Sequence, residues 1–304
     1  MAEMGQRPAL LKGQALDWQM VFYKAVHVVG RILLYGILLV GAVVFAMPFI
    51  WMFRSSFMPK HLVYNVPIIW IPPRFGLEHY IEPWKSLPFP IFYRNTIFIT
   101  FMNIIGLVLS SSLVAFGFAR IRFWGRDWIF LLLLSTMMLP FQVTMIPIYL
   151  FWSRLGAVNT FWPLIVPEWL TNAYNVFLLR QFFMTISPDL DDAARIDGCG
   201  WFGIYSRIIV PLSKPALGVI AIQAFAWNWN NFMAPLIYLN EPRNYTIALG
   251  LRMFSIGPAG HAVTRYTMAD VMAMTIIALI PCLIVFFWAQ KRFIQGIVIT
   301  GVKG

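Results

Sequence analysis

Charged residues fall along this chain in clusters, and long apolar runs separate the clusters. Five stretches of 20 or more residues carry no formal charge: 32–53, 95–119, 128–151, 215–240 and 271–290. A sixth, 155–179, holds Glu168 as its single charge. A helix of about 20 residues crosses roughly 30 Å of hydrocarbon, so each run is long enough to span a bilayer. The pattern predicts six helices near 32–53, 95–119, 128–151, 160–183, 215–240 and 271–290, after a polar N-terminal segment 1–31. That segment and the first apolar run are both too long for a cleaved signal. Pro163 and Pro167 precede Glu168, which places the acid near the outer end of its helix with 171–183 deeper in the membrane. Pro48, Pro140, Pro147 and Pro235 lie in or beside spans and predict kinks, which membrane helices tolerate.

Composition sharpens the class. Of the 304 residues, 60% are hydrophobic and 12% charged, against about 45–50% and 25% in soluble domains. A disordered chain, a disulfide scaffold and an ordinary cytosolic enzyme are excluded. What remains is an all-α polytopic membrane protein with a single transmembrane domain over 32–304. The net charge is +11. Here it points to cytoplasmic loops and anionic lipid headgroups rather than nucleic acid. With the N-terminus inside, 14 of the 23 Lys and Arg fall on the cytoplasmic side. The short loop holding Arg120, Arg122 and Arg126 is the strongest vote, and six spans return the C-terminus to the cytoplasm. Two outer loops, 54–94 and 241–269, are rich in Pro and Gly, and the first reads as an ordered cap. Cys199 and Cys282 read as small packed residues, and no cluster has metal-ligand spacing. His27, His61, His79 and His261 are isolated, which argues against acid–base chemistry.

The polar loop 187–214 breaks the apolar pattern most sharply. Four of the chain's 12 acids, Asp189, Asp191, Asp192 and Asp197, lie within nine residues. Ser187 suits an N-cap and Pro188 the first helical position, with acids at the positive end of the helix dipole. Ala193 and Ala194 form a small patch that permits close approach. Gly198 and Gly200 turn the chain into a second amphipathic stretch, 201–210, which ends at Pro211. The prediction is a short helix, a tight turn and another short helix, a shape suited to docking. The run Gly198-Cys199-Gly200-Trp201-Phe202-Gly203 matches a dinucleotide fingerprint in letters only: a helix precedes it and no acid follows at the required distance. No G-x-x-x-x-G-K-[ST] occurs, so the chain lacks a P-loop and is not itself an ATPase. Energy for uphill transport must come from an ion gradient or another subunit.

This loop resembles the EAA motif of ABC-importer permease subunits, E-A-A-x3-G-x9-I-x-L-P. Asp192, Ala193, Ala194, Gly198, Ile208, Val210 and Pro211 fall at its spacings, with Asp for Glu and Val for Leu. Further segments are similar to the MalG-like carbohydrate permeases, the second permease group of maltose-type transporters. They are 55–59, 175–183, 229–236 and the tail 293–296 with 301–304. The resemblance implies a type I importer fold in a bacterial or archaeal cytoplasmic membrane. It implies a homologous second permease, two copies of an ATPase that bind ATP and Mg, and an extracytoplasmic sugar-binding protein. It gives Asp192, Ala193, Ala194, Gly198, Ile208 and Pro211 the role of coupling to the ATPases. It also implies that loop 241–269 reaches the binding protein and that the tail contacts the ATPases. No cofactor is expected in this chain.

In the fifth span, Gln223, Trp227, Asn230 and Asn231 recur near helical spacing and could line a polar path, or could bond neighbouring helices. Two other classes compete. An ion-coupled secondary transporter wants a buried ionisable residue and repeat-related broken helices; Glu168 supplies the first, and no repeat is visible. An intramembrane hydrolase wants a nucleophile–base pair within the spans, and no span holds a His.

Overall fold

A computed structural model describes residues 10–86, 88–256 and 267–301. The outer-loop positions 257–266, the first nine residues and the tail positions 302–304 lie outside the described residues. The side chains of 291–301 do as well. Every regular element among the described residues is helical.

The chain divides into two compact units, the first ending at Ser55. That unit is one helix, α1 (Leu10–Ser56), which runs through Pro48 without ending. Its 47 residues would extend about 70 Å at 1.5 Å per residue. From Met20 to Phe53 most of its large apolar side chains are exposed, as expected for a helix solvated by lipid.

The second unit is built around α3 (Phe89–Arg120), which packs against α6 (Trp162–Trp169), α7 (Ala173–Met184), α11 (Lys214–Trp229) and α13 (Ile247–Ile256). Small residues let these helices approach. Gly106 and Gly250 are close approaches: a Cβ at Gly106 would run into the Trp169 ring, and one at Gly250 into the Phe92 ring. The outer segment before α3 is ordered, with Met58 and Val63 fully buried against Ala269, and it contains α2 (Glu78–Ser86). The last helix, α14 (Met268–Gly301), carries the predicted sixth span.

Three of the six apolar stretches are broken, where the sequence pattern predicted continuous helices. The third is α4 (Arg126–Ser135), a 3-10 turn and α5 (Phe141–Arg154), bent by 99°. Pro140 explains the bend: it is extended itself, and Leu139 before it is forced into the β region. The fourth breaks between α6 and α7, where Thr171 takes φ +67° and Asn172 caps α7 by accepting from the Asn175 amide at 3.0 Å. The freed backbone is held by α3: the Ser111 hydroxyl bonds the Thr171 hydroxyl, and the Ser110 hydroxyl reaches the Glu168 carbonyl at 3.5 Å. Irregular backbone at membrane depth needs such partners.

The fifth stretch ends its helix at Trp229, so Asn230 and Asn231 lie beyond α11, before α12 (Met233–Tyr238). Among the described residues, three helices are long and apolar enough to cross a membrane, or up to five if each of two bent pairs is one span. The pair α6 and α7 has 8 and 12 residues, each too short to cross alone.

Candidate functional site: the coupling element and a polar cleft

The predicted helix–turn–helix is present. The first helix, α8 (Asp189–Ile196), starts beside Ser187, whose hydroxyl accepts from the Asp189 amide at 3.3 Å and donates to its carboxylate at 2.9 Å. Gly198 turns the chain at φ +81°, a conformation that glycine adopts without strain. The second helix begins as α9 (Trp201–Ile204), passes through a π-helical turn (Tyr205–Ile209) and ends as α10 (Val210–Leu212). The break falls at Ser213 rather than at Pro211, with a 77° bend into α11. Pro211 sits in the first turn of α10, where its missing N–H is tolerated.

The motif's acids and alanines divide between two faces. Asp191 is 7% exposed and Ala194 is buried, whereas Asp192 and Ala193 are exposed. Asp191 Oδ2 lies 3.2 Å from Arg120 Nε, and Arg120 also donates to the Ile186 carbonyl at 2.8 Å. Arg120 is the last residue of α3, so α8 is pinned to the central helix by a buried cation. Burial pushes the Asp191 carboxyl above its ordinary value, against the opposing pull of Arg120 and Arg195. Ala194, Ile204, Tyr205 and Ile209 join the same core as Leu107, Phe116 and Phe183, with Ile208 and Val210 packed at its edge. Tyr205 also bonds Ser112 of α3 at 2.7 Å through their hydroxyls. On the other face, Ile196 is 87% exposed, one turn from Asp192 and Ala193, and Phe202 of α9 is 74% exposed. The Arg195 guanidinium stacks 3.9 Å over Trp201 and ties the two helices together.

A second feature lies where α6, α7 and α11 meet. A cleft of about 230 Å³ is lined by Glu168, Asn172, Asn175, Gln223, Trp227 and Asn228, among others. Gln223 and Trp227 therefore share one cleft. Asn230 does not join them: its amide donates to the Ala226 carbonyl at 2.8 Å. Asn231 is elsewhere too, with its side-chain oxygen accepting from the Ala234 amide at 3.3 Å. Glu168 is the penultimate residue of α6, a helix that ends well short of the predicted span. It lies beside Ser110, ten residues before Arg120, or about 15 Å along α3. Asn103 of α3 donates to the Leu164 carbonyl at 2.9 Å and to Asn228, whose own amide donates to the Ala224 carbonyl at 2.9 Å.

Two groups were invisible to motif spacing. Arg120 was counted as loop charge, and nothing in the EAA pattern selects Asp191 over Asp192. His79, which looked isolated, bonds Asp270 through Nδ1 at 2.7 Å, and both are buried. Half of that pair was legible: Thr267-x-x-Asp270 is a capping-box pattern, and Asp270 does accept from the Thr267 amide at 2.7 Å. Cys199 and Cys282 are free thiols.

An apolar helical core carrying a pinned helix–turn–helix is the architecture of a membrane transport component. Residues 104–299 match the family model "Binding-protein-dependent transport system inner membrane component", and the chain belongs to that family. It is thus a multi-pass permease subunit of an ABC import system. It is similar to the polygalacturonan/rhamnogalacturonan transport system permease YtcP of Bacillus subtilis, 33% identical over 284 residues, covering 90% of this chain and 97% of that one. It is similar also to the arabinooligosaccharide permease AraQ of Halalkalibacterium halodurans, 32% identical over 260 residues, covering 84% and 91%. Its fold matches a bacterial ABC transporter involved in import of the acidic polysaccharide alginate, with TM-score 0.75 and 23% identity over 96% of this chain and 100% of that one.

Proposed function

We propose that this chain is one of two permeases that together form the path of an ATP-driven oligosaccharide importer in a bacterial or archaeal cytoplasmic membrane. Two cytoplasmic ATPase subunits, holding ATP and Mg, dock on loop 187–214. An extracytoplasmic sugar-binding protein delivers the substrate. The relatives named above are sugar permeases, which supports the substrate class. The observation that carries the coupling role is the two-faced α8. Asp191 and Ala194 hold it to α3, while Asp192, Ala193 and Ile196 present an acidic and apolar surface outward. A partner Arg or Lys opposite Asp192 makes a charge-assisted contact. Force applied there passes through Arg120 into the central helix and through Ile204, Tyr205 and Ile209 into α7 and α11.

The test is uptake by proteoliposomes containing the chain with its partner permease, ATPase and binding protein. Uptake should require internal ATP and persist when a protonophore collapses the ion gradient. Uptake abolished by the protonophore at constant ATP would instead assign an ion-coupled carrier.

A further inference from the structure

The cleft between α6, α7 and α11 contains more polar chemistry than packing requires. Of the amides that line it, Asn228 and Asn172 bond protein partners. Two groups do not. Asn175 is 4% exposed, and its side-chain oxygen is buried with no hydrogen-bond partner. The Glu168 carboxylate has no ion-pair or hydrogen-bond partner among the described residues. An unpaired buried acceptor and a lone acid inside a membrane protein are both unfavourable, and such groups are kept where a ligand or water completes them. The Asn175 side-chain oxygen and the ionised Glu168 carboxylate both accept hydrogen bonds. Gln223 is exposed and Trp227 is 71% exposed, so an amide and an indole face also border the cavity.

We infer that this cleft is a glycan subsite carried by this chain itself, and that Glu168 makes it select neutral, hydroxyl-rich sugars over uronate-bearing ones. The inference rests on the importer reading and adds the charge class of the substrate. Sugar hydroxyls donate to Glu168 and Asn175, the Gln223 amide supplies a complementary pair, and Trp227 offers an apolar face for the C–H side of a pyranose ring. A volume of about 230 Å³ holds one such ring with its hydroxyls. A uronate carboxylate in the same place would meet a like charge with no lining cation, and like charges at short range in a low-dielectric site repel strongly. The relatives named above include permeases for both neutral and acidic glycans, so family membership leaves this choice open.

The test uses the assembled transporter in nanodiscs, with Cys199 and Cys282 replaced by Ser and a single Gln223→Cys introduced. Labelling of that thiol by a soluble maleimide is timed with and without a neutral galactotriose or a trigalacturonate. Galactotriose should slow labelling at least threefold and trigalacturonate should leave it unchanged. In the added presence of Glu168→Lys the preference should reverse. Trp227→Cys, probed in the same way, guards against a defect specific to position 223. Protection by neither sugar, equal protection by trigalacturonate with Glu168 intact, or protection by an amino-sugar oligomer alone would each overturn the assignment. Labelling needs neither ATP nor the binding protein, so its failure is separable from failure of the uptake experiment above.

Discussion

Adjacent aspartates in α8 have opposite jobs. Asp191 is buried against Arg120, and Asp192 is exposed. Removing one partner of a buried ion pair leaves the other charge uncompensated, at a cost of about 3–5 kcal/mol. Arg120→Ala should therefore lower the unfolding temperature of the purified chain in detergent markedly. Asp192→Asn, on an exposed face, should change stability by less than about 0.5 kcal/mol. The pH dependence of Asp191 has a definite sign. Its folded pKa is raised above the ordinary 3.8, so the folded state holds a proton that the unfolded chain has already lost. This group's contribution to stability then falls as pH rises through the window above 3.8. Asp191→Asn should flatten that slope in thermal unfolding measured from about pH 4 to 6. The motif's letters and spacings were legible in the sequence, but the division between Asp191 and Asp192 was not. It depends on a cation at the end of another helix, and spacing within a loop carries no such information.

At the scale of elements, the outcome followed the punctuation residues. Pro140 announced its break, because proline restricts the residue before it. The breaks at Thr171 and Ser213 had weaker signals. Asn172 is a good cap, yet only the serines of α3 make the break affordable by bonding Thr171 and the Glu168 carbonyl. The helix instead ran past Pro211, since proline is tolerated in a first turn. Two substitutions probe element geometry. Gly198→Val forces a β-branched residue to φ +81°, costing about 1–2 kcal/mol. It should reduce the amount of ATPase that co-purifies with the chain while leaving membrane insertion intact. Gly106→Leu drives a side chain into the Trp169 ring. The overpacking should cost about 1–3 kcal/mol in thermal unfolding, and Trp169→Ala should recover part of the loss.

At the scale of the whole molecule, apolar bulk gave the membrane class, and the acidic loop predicted the helix–turn–helix that the structure contains. The polar cleft was half legible: Gln223 and Trp227 come together there, whereas Asn230 and Asn231 lie beyond the end of α11. Glu168, read as an outer-end residue, reaches the cleft because α6 stops short of the full span. The molecule thus carries two distinct features, a helix–turn–helix pinned to the end of α3 and a polar cavity about 15 Å further along that helix.

The central claim is that the exposed face of α8 transmits ATPase motion to the path. Asp192→Lys reverses the charge on that face without touching the Arg120–Asp191 anchor. The decisive measurement is the ratio of sugar taken up to ATP hydrolysed in proteoliposomes containing the complete transporter. With Asp192→Lys the chain should insert at normal levels and uptake per ATP should fall at least tenfold. Normal uptake at a normal ratio would contradict the coupling role.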